Sequence, residues 1–303
     1  MRHKQLQRRT PCGKTASSWT NLLYILPMLA VICVFIIAPL MEAFRLSFYN
    51  VKVSGEEVFI GLQNYISFFN STDGALAWKN TAIWVIGGTL LKIAIGLLIA
   101  LVLYQNFKGK RAMTAITLIP YAMPAAVSCM VWRLMYHPVY GHINQILMNL
   151  GILDRPVSFL GSIDTSLISV MMVNVWAVAP FCALNILASL YSIPTYIYEA
   201  ADIDGAGAFR KFFKITLPLI FSDVKTLALL IGIWGFNSFD AIYIMTTGGP
   251  ANSSSILVNQ VYQYAFEFNN RGYYAAISVI CFLVLSLFAF FYVRSKGKEV
   301  SYE

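Results

Sequence analysis

Charge is what this chain has least of: 12% of its 303 residues are charged, about half the share usual in a soluble domain. With 58% of residues hydrophobic, too little polar surface is left to cover a water-soluble globule. Histidine is scarce as well, with three residues, and His137 and His142 are five apart, on different faces of any helix. They make no convincing metal pair. The five cysteines show neither ligand spacing nor a disulfide framework; Cys33, Cys129, Cys182 and Cys281 read as small apolar side chains inside hydrophobic runs, and Cys12 sits near the start. Phosphate-binding loops are missing too. Gly13-Lys14-Thr15 mimics the end of one, but the earlier glycine that the motif needs falls at Arg8. Gly205-Ala206-Gly207 starts a dinucleotide fingerprint whose third glycine would be Arg210, and no strand leads into it. No low-complexity tract, second soluble domain or catalytic constellation is evident, so a soluble enzyme is excluded and no cofactor or metal is expected on this chain.

What the chain does have is long apolar runs. About 20 apolar residues cross the hydrocarbon core as a helix, the form in which every backbone N–H and C=O is bonded within the segment. Six runs reach that length, near 21–41, 80–104, 112–135, 166–190, 219–246 and 272–293. The fold class expected is therefore an all-α integral membrane protein with six spans and both termini on one side. The segment before the first run carries Arg2, Lys4, Arg8, Arg9 and Lys14, which is too polar and too long for a cleaved signal sequence and reads as a cytosolic tail, 1–20. Fourteen Lys and Arg fall in that tail, the 105–112 loop, the 191–218 loop and the end from Arg294. Only Arg45, Lys52, Lys79, Arg155 and Arg271 fall on the other side. The asymmetry puts both termini and the 191–218 loop in the cytoplasm. The net charge of +8 then reports topology and contact with anionic lipid, not nucleic acid.

Between the runs, an external segment, 42–79, contains Phe59-Ile60-Gly61-Leu62-Gln63-Asn64-Tyr65 and an apolar patch at Ile66, Phe68 and Phe69 that is expected at the membrane surface. Ile143, Ile146, Leu147 and Leu150 form the stripe of a short amphipathic helix, expected in the interface. Thr247-Gly248-Gly249-Pro250 is a turn, because glycine admits positive φ and proline cannot extend a helical ladder.

The cytosolic loop holds the most informative pattern. Pro194 suits a helix's first turn, and a short helix should run from there until Gly205 and Gly207 reverse the chain. Ala200 and Ala201 would let a partner's surface approach the backbone, while Glu199, Asp202, Arg210, Lys211 and Lys214 supply orienting charge. Leu217-Pro218 would start the next span. These residues spell Glu199-Ala200-Ala201, three residues, Gly205, nine residues, Ile215, one residue, Leu217-Pro218. At average usage, seven fixed residues coincide in roughly one window in 10⁸. The pattern resembles the cytosolic signature of the inner-membrane permease subunits of binding-protein-dependent ABC importers. Phe59 to Tyr65 is similar to a second segment of that family. Asn237 to Pro250, then Tyr262, Ala265-Phe266, Gly272-Tyr273 and Ala275-Ala276, resemble its MalF-like carbohydrate-uptake branch. The maltose prototype of that branch carries extra N-terminal spans and a large external insertion, and this chain resembles a compact six-span version.

The resemblance implies a type I importer fold: a core over 80–293 with a coupling loop at 191–218, after a first span, 21–41, and before a cytosolic tail, 294–303. It also implies partners: a second, MalG-like permease, two ATPase subunits that hold ATP and Mg, an extracytoplasmic solute-binding protein, membrane lipid and a carbohydrate cargo. The expected location is a bacterial or archaeal cytoplasmic membrane. By the same likeness Glu199, Ala200, Ala201, Asp202, Gly205, Ile215, Leu217 and Pro218 form the loop that docks on the ATPase.

Cargo is read from polar residues within spans, which are costly there and tend to face a cavity or a partner. Asn174 and Asn185 are eleven residues apart, three helical turns, and share a face with Phe181 nearby. Asn237, Asp240 and Tyr243 follow at i, i+3 spacing in the fifth run. Amides, a carboxylate and aromatic rings suit a sugar's hydroxyls and C–H face, although such amides also bond helix to helix. A phosphate-bearing cargo such as glycerol phosphate is the alternative within the same machine, and Lys92 and Arg133 are the cations available to it. A secondary transporter, the alternative of another class, calls for midplane ion sites and an internal repeat. Neither is evident.

Overall fold

The computed structural model describes residues 18–51 and 55–299. Residues 1–17, with Cys12 and Gly13-Lys14-Thr15, and likewise Lys52 and the end beyond 299, lie outside the described residues. The chain divides into two compact units between Arg45 and Leu46. The first is essentially one apolar helix, α1 (Tyr24–Leu46).

The second unit opens with a short antiparallel hairpin, β1 (Tyr49–Val51) and β2 (Glu57–Phe59), in which Tyr49 pairs with Phe59. Helix α2 (Gln63–Asn70) follows. It brings Asn64, whose Nδ2 donates to the carbonyls of Ser47 and Tyr49, and Phe68, which is fully buried. The apolar patch expected at the membrane surface is therefore split, because Ile66 and Phe69 stay exposed while Phe68 belongs to the core. Ser71 then caps the next helix by accepting from the N–H of Gly74. A Cβ at Gly74 would lie 2.1 Å from the Phe68 carbonyl oxygen, so only glycine fits that corner.

Helix α3 (Thr72–Tyr104) packs along α7 (Ser166–Ser192), and these two form the centre of the bundle. Gly96 sets their spacing. A Cβ there would meet the Cys182 Cβ at 2.6 Å, which is the small-residue close approach that substitutes for a hydrophobic driving force in lipid. Lys92, one turn before Gly96, is buried with no hydrogen bond or ion pair among the described residues.

Three expectations about spans change. The run 112–135 is two helices, α4 (Lys110–Ala122) and α5 (Ala125–Met135), bent by 91°. Met123 takes an extended conformation, ψ 138°, as a residue preceding proline should, and Pro124 opens the second helix. After α6 (His142–Asn149) and α7, the short α8 (Thr195–Ile203) leads to α9 (Ala208–Phe236). This span starts about ten residues before Leu217-Pro218, and Pro218 lies inside it. The chain accommodates the missing N–H of Pro218 by widening to a π-helical turn at Phe212–Thr216, where Leu217 N–H reaches the Phe212 carbonyl. At the other end α9 stops at Phe236, and α10 (Phe239–Thr246) is a separate helix. Asn237 turns its amide back onto the Ile233 carbonyl, the local competition that polar side chains offer a helix ladder.

A buried polar clasp holds the loop after α10. Asn80 Nδ2 faces the carbonyls of Asn252, Ser253 and Ser255, and Thr81 accepts from Leu257 N–H, with Ser166 and Ser253 sharing a hydrogen bond. Thr247 and Gly248 both have positive φ, as the turn signal required. Helix α11 (Leu257–Tyr262) and α12 (Arg271–Glu299) follow, with 294–299 continuing the last helix. Helix α6 forms as predicted, but its buried residue is Asn144, bonded to both backbone groups of Val157; Ile146 and Leu150 are exposed. Among the described residues five helices are long and apolar enough to cross a membrane, or six if the bent pair is one span.

Candidate functional site

Two regions carry the residues singled out above. The first is α8 with its flanks. Pro194 caps the helix in an extended conformation. The helix ends in a Schellman motif: Gly205, at φ +70°, donates to the Asp202 carbonyl, and Ala206 N–H reaches back to Ala201. Glycine at 205 is thus required by the backbone conformation, since a Cβ there would meet nothing within 4 Å.

The two faces of α8 differ. Ala201 is buried at 7% exposure and points into the protein, so it spaces α8 from its own bundle and offers nothing to a partner. Glu199, Ala200, Tyr196 and Ile203 are exposed on the other face, with Phe209 beyond the turn. Two side-chain contacts tie α8 to α9: the Tyr198 hydroxyl shares a hydrogen bond of 2.9 Å with Thr216, and Asp202 pairs with Lys211. Ile215 and Leu217 are half-buried and Pro218 is exposed on the outside of α9.

The second region is a cluster to which α4, α7 and α9 each contribute a ring. Phe181 stacks against Tyr121 at 5.2 Å and meets Trp234 at 5.2 Å. Tyr121 and Trp234 are both 44% exposed, so the stack is open to a ligand. Asn174, two turns along α7, is half-buried. Trp176 and Trp132 pack edge to face beside an apolar cavity of about 470 Å³. Asn185 lies one turn beyond Phe181 in the opposite direction and donates to the Phe181 carbonyl.

The face expected to run through Asn237, Asp240 and Tyr243 does not exist as one helical surface, because the chain breaks between Asn237 and Phe239. Asn237 and Asp240 are exposed on either side of the break. Tyr243 instead joins an aromatic group with Phe239, at 4.9 Å, and Tyr262, at 5.0 Å. Sequence reading missed Tyr121 and Trp234, since an aromatic ring inside an apolar run leaves no contrast in hydropathy. His137, set aside above as a metal ligand, stacks on Tyr140, and its Nδ1 accepts from Val139 N–H.

A bundle of membrane-length helices, with a short capped helix and a cluster of partly exposed rings, defines a polytopic membrane protein. A sequence profile of the family "binding-protein-dependent transport system inner membrane component" matches residues 92–299, and the chain belongs to that family. It is 36% identical over 276 residues to the trehalose/maltose transport system permease protein MalF of Thermococcus litoralis, covering 90% of this chain and 92% of that one. It is 29% identical over 289 residues to the sn-glycerol-3-phosphate transport system permease protein UgpA of Yersinia enterocolitica, covering 94% and 97%. The fold is shared with a chain of a bacterial ABC transporter involved in the import of the acidic polysaccharide alginate, with TM-score 0.79, 21% identity and coverage of 92% and 96%.

Proposed function

We propose that this chain is one permease subunit of an ABC importer and that its cargo is a neutral saccharide. The observation that carries the cargo reading is the open stack of Tyr121, Phe181 and Trp234. Flat aromatic faces suit the C–H face of a sugar ring, and Asn174 is the nearby amide for its hydroxyls. The trehalose/maltose relative, at 36% identity, supports the same reading.

Coupling is assigned to α8. Its exposed face, with Tyr196, Glu199, Ala200 and Ile203, would sit in a cleft of a separate ATPase subunit, which holds the ATP and Mg. No cofactor is assigned to this chain and no hydrolysis takes place on it. A second permease, two ATPase subunits and an extracytoplasmic binding protein complete the machine, in the cytoplasmic membrane with α8 on the inner side, as the Lys and Arg asymmetry supports. Nucleotide and loaded binding protein must each favour one access state for transport to follow.

Glycerol phosphate is the second reading, favoured by the relative that carries it. A phosphate would call for a free cation near the rings. Lys92 is buried beside Gly88 and Met171, and Arg133 is spent in part on the Ile244 carbonyl. Reconstituted with its partner subunits and binding protein, the complex should take up labelled maltose or trehalose, and Trp234→Ala should lower that uptake at least about tenfold while subunit assembly persists. Unaltered uptake by the variant would remove the rings from the cargo path. Uptake of glycerol 3-phosphate but neither sugar would select the second reading.

A further inference from the structure

A second, differently built pocket lies one turn from the aromatic stack toward the α8 end of the bundle. It is an open groove of about 450 Å³ between α7, α9 and α12, within the ~300–1,000 Å³ usual for small-molecule sites, with Asn185, Ser192 and Asp223 exposed along it. Its polar wall consists of Asn185, Ser189 and Ser192 from α7, Asp223 and Thr226 from α9, and Tyr292 from α12. Asn185 follows Phe181 by four residues and Leu230, also in the wall, precedes Trp234 by four. The pocket therefore lies one helical turn from the rings on both α7 and α9.

The hydrogen bonding of the wall fixes what it can accept. Asn185 Nδ2 donates to the Phe181 carbonyl, Ser189 Oγ to Asn185 and Ser192 Oγ to Ser189. Three donors are thereby consumed within α7, and the second Asn185 N–H, its amide oxygen and the hydroxyl lone pairs remain. Across from them the Asp223 carboxylate has no hydrogen bond or ion pair among the described residues, and Thr226 Oγ1 is buried without a partner. Lys225 is two residues from Asp223, about 200° around the helix, so it does not neutralise the carboxylate from its own helix. Among the described residues the wall carries one charge, the Asp223 carboxylate, beside amide and hydroxyl groups that both accept and donate. It disfavours anions and suits a ligand with many hydroxyls, while Leu227, Leu230 and the Tyr292 ring supply apolar surface.

We infer that this pocket is an exit subsite for a neutral polyhydroxylated ligand, and that sugar returning to it from the cytoplasmic side holds back the transport cycle. The inference rests on the reading of the chain as a saccharide permease. A carboxylate accepting from two neighbouring hydroxyls gives charge-assisted hydrogen bonds, the stronger class, so Asp223 is the residue on which the site turns.

The test uses the complete complex in liposomes with ATP trapped inside and graded maltose or trehalose in the lumen, reading the interior concentration that halves each variant's own uptake. In the wild type either sugar should inhibit from inside, and glycerol 3-phosphate should not. Asp223→Asn, and separately Thr226→Val, should raise the half-inhibiting concentration, the former about tenfold. Indifference of the wild type to interior sugar, the same half-inhibiting concentration in both variants, or equal inhibition by glycerol 3-phosphate would overturn the inference. If no complex imports either sugar from outside, the saccharide reading itself fails. Calorimetry of maltose on the purified complex without binding protein then decides the pocket alone, with binding lost in Asp223→Asn supporting it and binding absent or unchanged overturning it.

Discussion

Gly205 shows how one residue can be required for reasons its neighbours do not reveal. Its surroundings are open, so a side chain would clash with nothing, and the demand comes from φ +70° at the end of α8. An L-residue pays about 1–2 kcal/mol in that region, and asparagine pays least among them. Gly205→Asn should therefore keep most of the uptake, whereas Gly205→Val should unwind the last turn of α8 and lower sugar moved per ATP hydrolysed, measured in the same liposomes. Equal loss in the two variants would mean that bulk at this position matters, and equal retention that the left-handed conformation does not. Ala201 teaches the complementary lesson. The sequence pattern made both alanines look like a docking surface, but burial separates them, with Ala201 turned inward and Ala200 outward. A pattern of small residues does not say which side they face.

At the scale of elements, close approach governs the bundle. Gly96→Leu should force α3 and α7 apart, because the nearest atoms to its Cβ are the Cys182 Cβ at 2.6 Å and the Ala183 backbone nitrogen at 3.0 Å. Overpacking of this kind costs about 1–3 kcal/mol, to be read as a lower melting temperature of the purified complex; an unshifted melt would mean that the helices re-space freely. Hydropathy found the apolar helices, since the need to bond every backbone group within a span leaves a long uninterrupted signal. It could not find where they break. The bend after α4 depends on Met123 and Pro124, and the end of α9 depends on Asn237 turning its amide onto its own helix. Both are local backbone events inside runs that stay apolar. The hairpin β1–β2 escaped for a similar reason: three-residue strands are shorter than any period that alternation can establish. The short helix α8 was legible because its spacing is fixed by backbone requirements, a capped start and a glycine stop, whereas the ring cluster depends on residues of α4, α7 and α9 that only tertiary packing brings together.

Across the whole molecule, the two regions meet on α9. Its first turns are held to α8 by the Tyr198 hydroxyl on Thr216 and by the pair of Asp202 and Lys211, and its last turn carries Trp234. The exposed ion pair adds little stability, so the hydroxyl contact is the better probe of the connection. Tyr198→Phe removes about 0.5–1.5 kcal/mol from it and should leave ATP hydrolysis in place while sugar moved per ATP declines; a ratio equal to wild type would show that α8 needs no such tether.

The unbroken length of α9 has a mechanical meaning of its own. Ala208 and Trp234 are joined by helix throughout, a reach of about 39 Å at 1.5 Å per residue. Helices resist stretching, so a tilt at the α8 end arrives at the other undiminished, and a rotation of about 5° over that reach displaces the indole by roughly 3 Å. That is about the width of an aromatic contact. A lever arm of this size would turn a small displacement at the α8 end into one of Trp234 on the scale of its contact with Phe181.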